Sequence, residues 1–142
     1  MTNIFIESIS PDEKYLCIVE SDDYSVWAYL HDIQQNNVIG EAPVCSIVEL
    51  MELEKFKEFY KGQCAPPLVK GYADEKAIYP NMTNDRLDIL WQVNGTSVLV
   101  TIDDEPFSMI LNNEKLGYSK AIITDGPLGH PWDSHLYEEK KG

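Results

Sequence analysis

Histidines near acids, cysteines and paired carboxylates are the side chains in this sequence that could carry chemistry. His130 and His135, with Asp133 between them, form the one group that resembles a set of metal ligands. A zinc or iron site needs imidazole and carboxylate donors converging on one point. A five-residue interval on a helix turns two side chains to different faces, so only a loop would bring these histidines together. The plainer reading is a proline-flanked surface corner in which Trp132 anchors the C-terminal segment to the core. His31 stands alone beside Asp32, and one histidine–acid neighbour is not a triad.

Cys17 and Cys45 sit in apolar strand-like runs, where a thiol behaves as a small hydrophobe. Cys64 reads as the exposed thiol, with only Lys61 close in sequence to lower its pKa. Three widely spaced cysteines fit neither a complete disulfide framework nor a zinc knuckle, which points to reduced thiols. Asp22-Asp23 and Asp103-Asp104-Glu105 fall at expected hairpin tips. General acid–base work needs a buried carboxyl with a raised pKa, whereas tips are solvated. Neither run has the alternating oxygen ligands and glycine of a calcium loop. No glycine–x–serine–x–glycine elbow and no glycine-rich phosphate loop occurs in the chain. The residues therefore point away from an enzyme and toward no cofactor.

Charge says more than any motif. Twenty-four acids against 11 bases leave a net charge of −13. The single arginine, Arg86, and the scattered lysines exclude a nucleic-acid backbone as partner, and an anionic membrane surface is disfavoured for the same Coulombic reason. Residues 1–54 hold 11 of the acids and only Lys14 among the bases, so ten of the 13 excess charges lie there. Such a one-sided field speeds encounter with a basic partner, although solubility alone would also be served by it.

The elements that must position these groups are read from periodicity. Leu87, Ile89, Trp91 and Val93 alternate with Asp88, Leu90 and Gln92, then Asn94-Gly95 supplies a type I′ turn. With that turn fixed, Trp91 faces Val98, Ile89 faces Val100 and Leu87 faces Ile102. A connection at Asp104-Glu105 then places Ile102 opposite Phe107, Val100 opposite Met109 and Val98 opposite Leu111. Tyr15–Glu20 and Ser25–Leu30 form a second strand pair, nearly continuous in apolar residues and so covered on both faces. Asp32–Gly40 reads as a loop and Val44–Val48 as a further strand. Leu50, Leu53, Phe56 and Tyr60 recur at helical intervals, predicting an amphipathic helix of about three turns ended by Gly62. Cys64–Asp85 reads as a long connection, Tyr118–Thr124 as an edge strand, and Pro131–Lys141 as a short final helix. The sum is one α+β domain over residues 1–142. It has a mostly antiparallel twisted sheet of about five to six strands, one main amphipathic helix and a short C-terminal helix. No basic, apolar leader opens the chain and no stretch nears the roughly 20 apolar residues of a membrane span, so a cytoplasmic protein is expected.

Asp22-Asp23 followed by Val26-Trp27-Ala28-Tyr29 is later joined by Ile89-Leu90-Trp91, Asn94-Gly95, Val98–Asp104, Pro106-Phe107 and Gly117-Tyr118. This order resembles a small bacterial domain family of unknown function and, more loosely, the acidic immunity proteins of polymorphic toxin systems. The resemblance covers residues 15–30 and 87–120, and Glu49–Asp85 has no counterpart in it. It implies a cytoplasmic protein that binds and blocks a cognate protein toxin with a basic surface. The expected contacts are Glu20, Asp22, Asp23 and Tyr24, the tip residues Asp103, Asp104 and Glu105, and then Glu52, Glu54 and Glu58 on the helix. Two alternatives stay open. One is a small-molecule or metal-binding domain or enzyme using a cleft near residues 64–85 with His130, Asp133 and His135. The other is an acidic DNA mimic.

Overall fold

The computed structural model describes residues 3–62, 65–92 and 97–140. The Cys64 thiol, the Asn94-Gly95 turn and the final turn position at Lys141 lie outside them. The chain is α+β and mostly strand, with its strands in two sheets rather than the single sheet expected. The first sheet is an antiparallel meander of β1 (Phe5–Ile9), β2 (Tyr15–Ser21), β3 (Ser25–Asp32) and β4 (Asn37–Ser46). The strand β1 has no counterpart in the sequence reading. The stretch Asp32–Gly40, expected as a loop, is mostly strand. Its reversal is tight: the Asp32 carboxylate accepts from the Gln35 N–H at 3.0 Å, and Asn36 takes a left-handed φ of 57°. Asparagine tolerates that conformation, so pairing resumes at Asn37.

The second sheet runs in the order β5 (Leu87–Trp91), β6 (Ser97–Ile102), β7 (Glu105–Leu111), β8 (Tyr118–Ser119) and β9 (His130–Pro131), the last pair parallel. The β5–β6 register is the expected one, with Trp91, Ile89 and Leu87 opposite Val98, Val100 and Ile102. The β6–β7 register is not. Ile102 pairs with Glu105 and Val98 with Ile110, because the turn is Asp103-Asp104 and a bulge shifts the ladder between Val100 and Thr101. Both turn residues have positive φ, 52° and 68°, as a type I′ turn requires and as aspartate permits. Tyr118–Thr124 contributes only β8, and it is not an edge, since β9 lies outside it.

Packing explains the division into two sheets. Val19, Ala28, Leu30 and Val44 of the first share one core with Val98, Val100, Ile102 and Ile110 of the second. Along one margin the Glu41 backbone bonds Lys115 and Gly117, and the Ser108 hydroxyl donates to Pro43 O at 2.8 Å. Along the other, Phe5 N–H donates to Asn84 Oδ1 and the Trp91 indole donates to Ser8 Oγ, each at 3.0 Å. On the outside of the second sheet, Leu99, Met109 and Leu111 lie under Trp132, Leu136 and Tyr137, so Trp132 does anchor the C-terminal segment. That segment holds α2 (Ser134–Lys140). Outside the first sheet, residues 65–69 close over β3. Trp27 donates its indole N–H to Pro66 O at 3.0 Å, and Ala65 N–H donates to the Tyr29 hydroxyl at 2.7 Å. The 65–85 connection is thus packed, with Leu68, Val69, Ala73, Ala77 and Met82 buried.

The main helix, α1 (Leu53–Phe59), has two turns rather than three. Leu50 is drawn into the core, and Met51 bonds Leu68 O and Lys70 N–H in an extended bridge, which consumes the expected first turn.

Burial pushes the Cys17 and Cys45 thiols up to about 12. A raised folded-state value stabilises the fold fully below the ordinary thiol value, and that stabilisation is lost as pH climbs from about 9 toward 12. Stability will therefore fall in that window by about 1.4 kcal/mol per pH unit for each thiol. Urea unfolding at pH 8, 9 and 10 measures it, and the slope should shrink in Cys17→Ala. An unchanged slope in that variant would refute the assignment.

Candidate functional site

Register fixes where the acidic tips lie. Phe5 pairs with Glu20 beside the β2–β3 turn, and Leu87 pairs with Ile102 beside the β6–β7 turn. The bonds from Phe5 to Asn84 and from Trp91 to Ser8 set β1 and β5 side by side in the same direction. Both acidic turns consequently share one end of the molecule. An open groove of about 780 Å³ crosses this end, lined among others by Asp22, Asp23, Asn3, Ile47, Thr83 and Asn84.

Each acid has a distinct state. Asp22 Oδ1 accepts from the Tyr24 and Ser25 N–H groups at 2.8 and 3.0 Å, so this carboxylate shapes the turn while lining the groove. Asp23 is exposed. The Tyr24 ring meets Phe59 edge-on at 5.3 Å, which ties the end of α1 to the turn. Asp103 is bound by Arg86 through two hydrogen bonds, 2.9 Å from Nε and 2.7 Å from a terminal nitrogen. That pair holds the Asp103 carboxyl below the usual carboxylate range. The Arg86 guanidinium also lies over the Tyr79 ring at 5.5 Å. Asp104 and Glu105 are exposed and form no ion pair among the described residues. On α1, Glu54 and Glu58 are exposed, whereas Glu52 is held by Lys70 at 2.8 Å.

Glu20 lies elsewhere. Its pairing with Trp27 turns it to the outer face of the first sheet, where it lines a separate pocket of about 310 Å³ with Tyr29, His31, Val38, Glu41 and Tyr60. The structure thus gathers Asp22, Asp23, Tyr24, Asp103, Asp104 and Glu105 at one end, α1 beside them, and leaves Glu20 out. Sequence reasoning did not foresee Arg86 as the partner of Asp103, nor Asn3, Thr83 and Asn84 in the groove. Seventeen residues separate Arg86 from Asp103, and no local pattern links them.

The histidines do not converge. His130 Nδ1 lies 2.5 Å from Asp125 Oδ1, with its ring 4.9 Å from that of Tyr118, in a depression of about 530 Å³. Asp133 instead accepts from the Leu136 N–H at 3.0 Å at the start of α2, and His135 points to solvent 3.8 Å from Glu139. No three histidine, cysteine, aspartate or glutamate side chains among the described residues are placed to share a metal ion. The Tyr118 hydroxyl, donating to Glu114, is pushed up to about 12 by burial and that carboxylate. No helix among the described residues is long and apolar enough to cross a membrane.

No protein-family model, curated protein or solved structure matches this chain. What the fold and the site define is a class only: an α+β domain of two sheets sharing one core, with two acidic turns at one end and one of them, Asp22-Asp23, lining a groove.

Proposed function

We propose that this is an immunity-type inhibitor, a cytoplasmic protein that binds a cognate bacterial toxin and occludes its basic surface. The observation that carries the reading is the placement of two acid-bearing turns at one end of the molecule, the Asp22-Asp23 turn lining the groove there, although 80 residues separate Asp23 from Asp103 in sequence. Exposed Asp23, Asp104 and Glu105 supply the field that steers a basic partner, and Tyr24 and Ile47 supply apolar contact. Asp103, already neutralised by Arg86, orders the turn that displays its neighbours. The DNA-mimic reading calls for carboxylates spaced along an extended surface, and gathering at one end favours it less. The metal reading is weakened by the pairing of His130 with Asp125 rather than with Asp133 or His135.

The test is co-purification with the product of the adjacent gene, followed by binding kinetics over a salt series. Asp23→Lys combined with Asp22→Asn keeps an acceptor for the turn while removing charge. The association rate at low salt should fall about tenfold with little change in dissociation. Equal rates for wild type and variant at every salt concentration would reject the acidic surface as the contact.

A further inference from the structure

We infer that the outer face of the first sheet is a second contact surface, for a basic protein segment that alternates apolar and cationic side chains. The inference rests on the reading that the partner is basic, but assigns contact to a face other than the groove.

Register places Phe5 opposite Glu20, Glu7 opposite Ile18 and Ile9 opposite Leu16 on that face. Phe5 and Ile9 are 50% and 57% exposed, among the most exposed large apolar side chains described. Neither β1 nor β2 contains a lysine or arginine. Residues 65 and 66 bond to Tyr29 and Trp27 of β3, while on this face Phe5 and Ile9 stay open to solvent and Leu16, Ile18 and Glu20 are half-buried. An apolar surface interleaved with uncompensated carboxylates is a poor seat for a second copy of a chain with net charge −13, whose glutamates would meet its own. It complements a segment in which valine-like and arginine-like side chains alternate.

The pocket beside this face gives the cation a place to enter. Glu20 belongs to both face and pocket, and has no ion-pair partner among the described residues. Glu41 lines the same pocket with its side chain 27% exposed, and Lys115, also in the lining, stands 3.9 Å from it on a largely exposed side chain that an incoming cation would displace. Tyr29, Tyr60 and Val38 provide walls for an alkyl stem and π faces for a guanidinium. A long basic side chain would thus be held between Glu20 and Glu41 while its apolar neighbours cover Ile18 and Phe5.

The probe is a capped hexapeptide alternating valine and arginine, titrated into the whole protein and followed by backbone amide shifts. Controls are the serine–arginine and valine–glutamate peptides. Expected are shifts at β1, β2, His31 and Glu41, with binding by the serine–arginine peptide weaker by about fivefold. Glu20→Gln with Glu41→Gln should weaken the valine–arginine peptide by a similar factor, about fivefold, while Asp22→Asn with Asp23→Asn leaves it unchanged. Absence of binding at millimolar peptide, equal binding of the serine–arginine peptide, or shifts centred on the groove would each overturn the inference. Sedimentation showing a dimer that blocks the peptide would overturn it in favour of a second copy. The last two results leave the groove reading standing, and a groove variant that fails against the toxin leaves this face untouched.

Discussion

Truncating Trp27 to alanine will remove about 3–5 kcal/mol of stability, the usual cost of deleting a fully buried aromatic side chain. Trp27 is 1% exposed at the centre of β3, sandwiched between the sheet and residues 65–69. Its loss opens a cavity and removes one of two donors to Pro66 O, leaving the Ser25 hydroxyl at 2.9 Å. For a domain whose whole stability lies near 5–15 kcal/mol, that is a large share. Trp27→Phe keeps most of the volume and loses chiefly the hydrogen bond, so about 1–2 kcal/mol is expected. Urea unfolding followed by far-ultraviolet circular dichroism measures both. A loss under about 1 kcal/mol for the alanine variant would contradict the packing described, since cavity formation there would be nearly free.

Gly117→Val should cost about 3 kcal/mol or more, by overpacking rather than by a hole. A Cβ at Gly117 would lie 2.7 Å from Ala42 Cβ and 2.7 Å from Met109 O, with Glu41 O at 3.1 Å. Two of those atoms are backbone and the third is fixed to it, so no side chain can swing aside. Gly117 also donates to Glu41 O at 2.7 Å and accepts from His130 N–H at 2.9 Å, so it sits where β4, β7 and β9 converge. Gly40 is the internal comparison. A Cβ there meets one side-chain atom, Ile110 Cγ2, at 2.6 Å and a single near backbone atom, Glu114 O, at 3.2 Å, so Gly40→Ala should cost less, about 1–2 kcal/mol. Thermal and urea unfolding of both variants gives the order. Gly117→Val as mild as Gly40→Ala would refute the account of the seam.

The β5–β6 pairing was legible because strict alternation leaves one register that matches apolar residues. The β6–β7 pairing was not, since either two-residue turn within Asp103-Asp104-Glu105 satisfies the sequence and the bulge near Val100 leaves no compositional mark. Separation into two sheets was hidden for a different reason. The chain between β4 and β5 buries isolated residues, Leu68, Ala73, Ala77 and Met82, with no period to reveal that it is structural. Although ten of the 13 excess charges fall in residues 1–54, that stretch also supplies Cys17, Val19, Trp27 and Ala28 to the core. The acidic tips could be named from sequence as turns. Their meeting could not, because it depends on β1 lying beside β5, fixed by bonds from Phe5 to Asn84 and from Trp91 to Ser8.

The second sheet finishes in β9, two residues long, with Pro131 as its last member. Proline has no N–H to offer a neighbouring strand, and so short a ribbon presents little ladder to copy. Growth of the sheet by addition of another molecule is therefore blocked at that margin. Mutual repulsion between chains of net charge −13 works in the same direction as the proline margin, against strand-to-strand association there. An inhibitor of the kind proposed, needed in excess over its target, would benefit from that resistance to self-assembly.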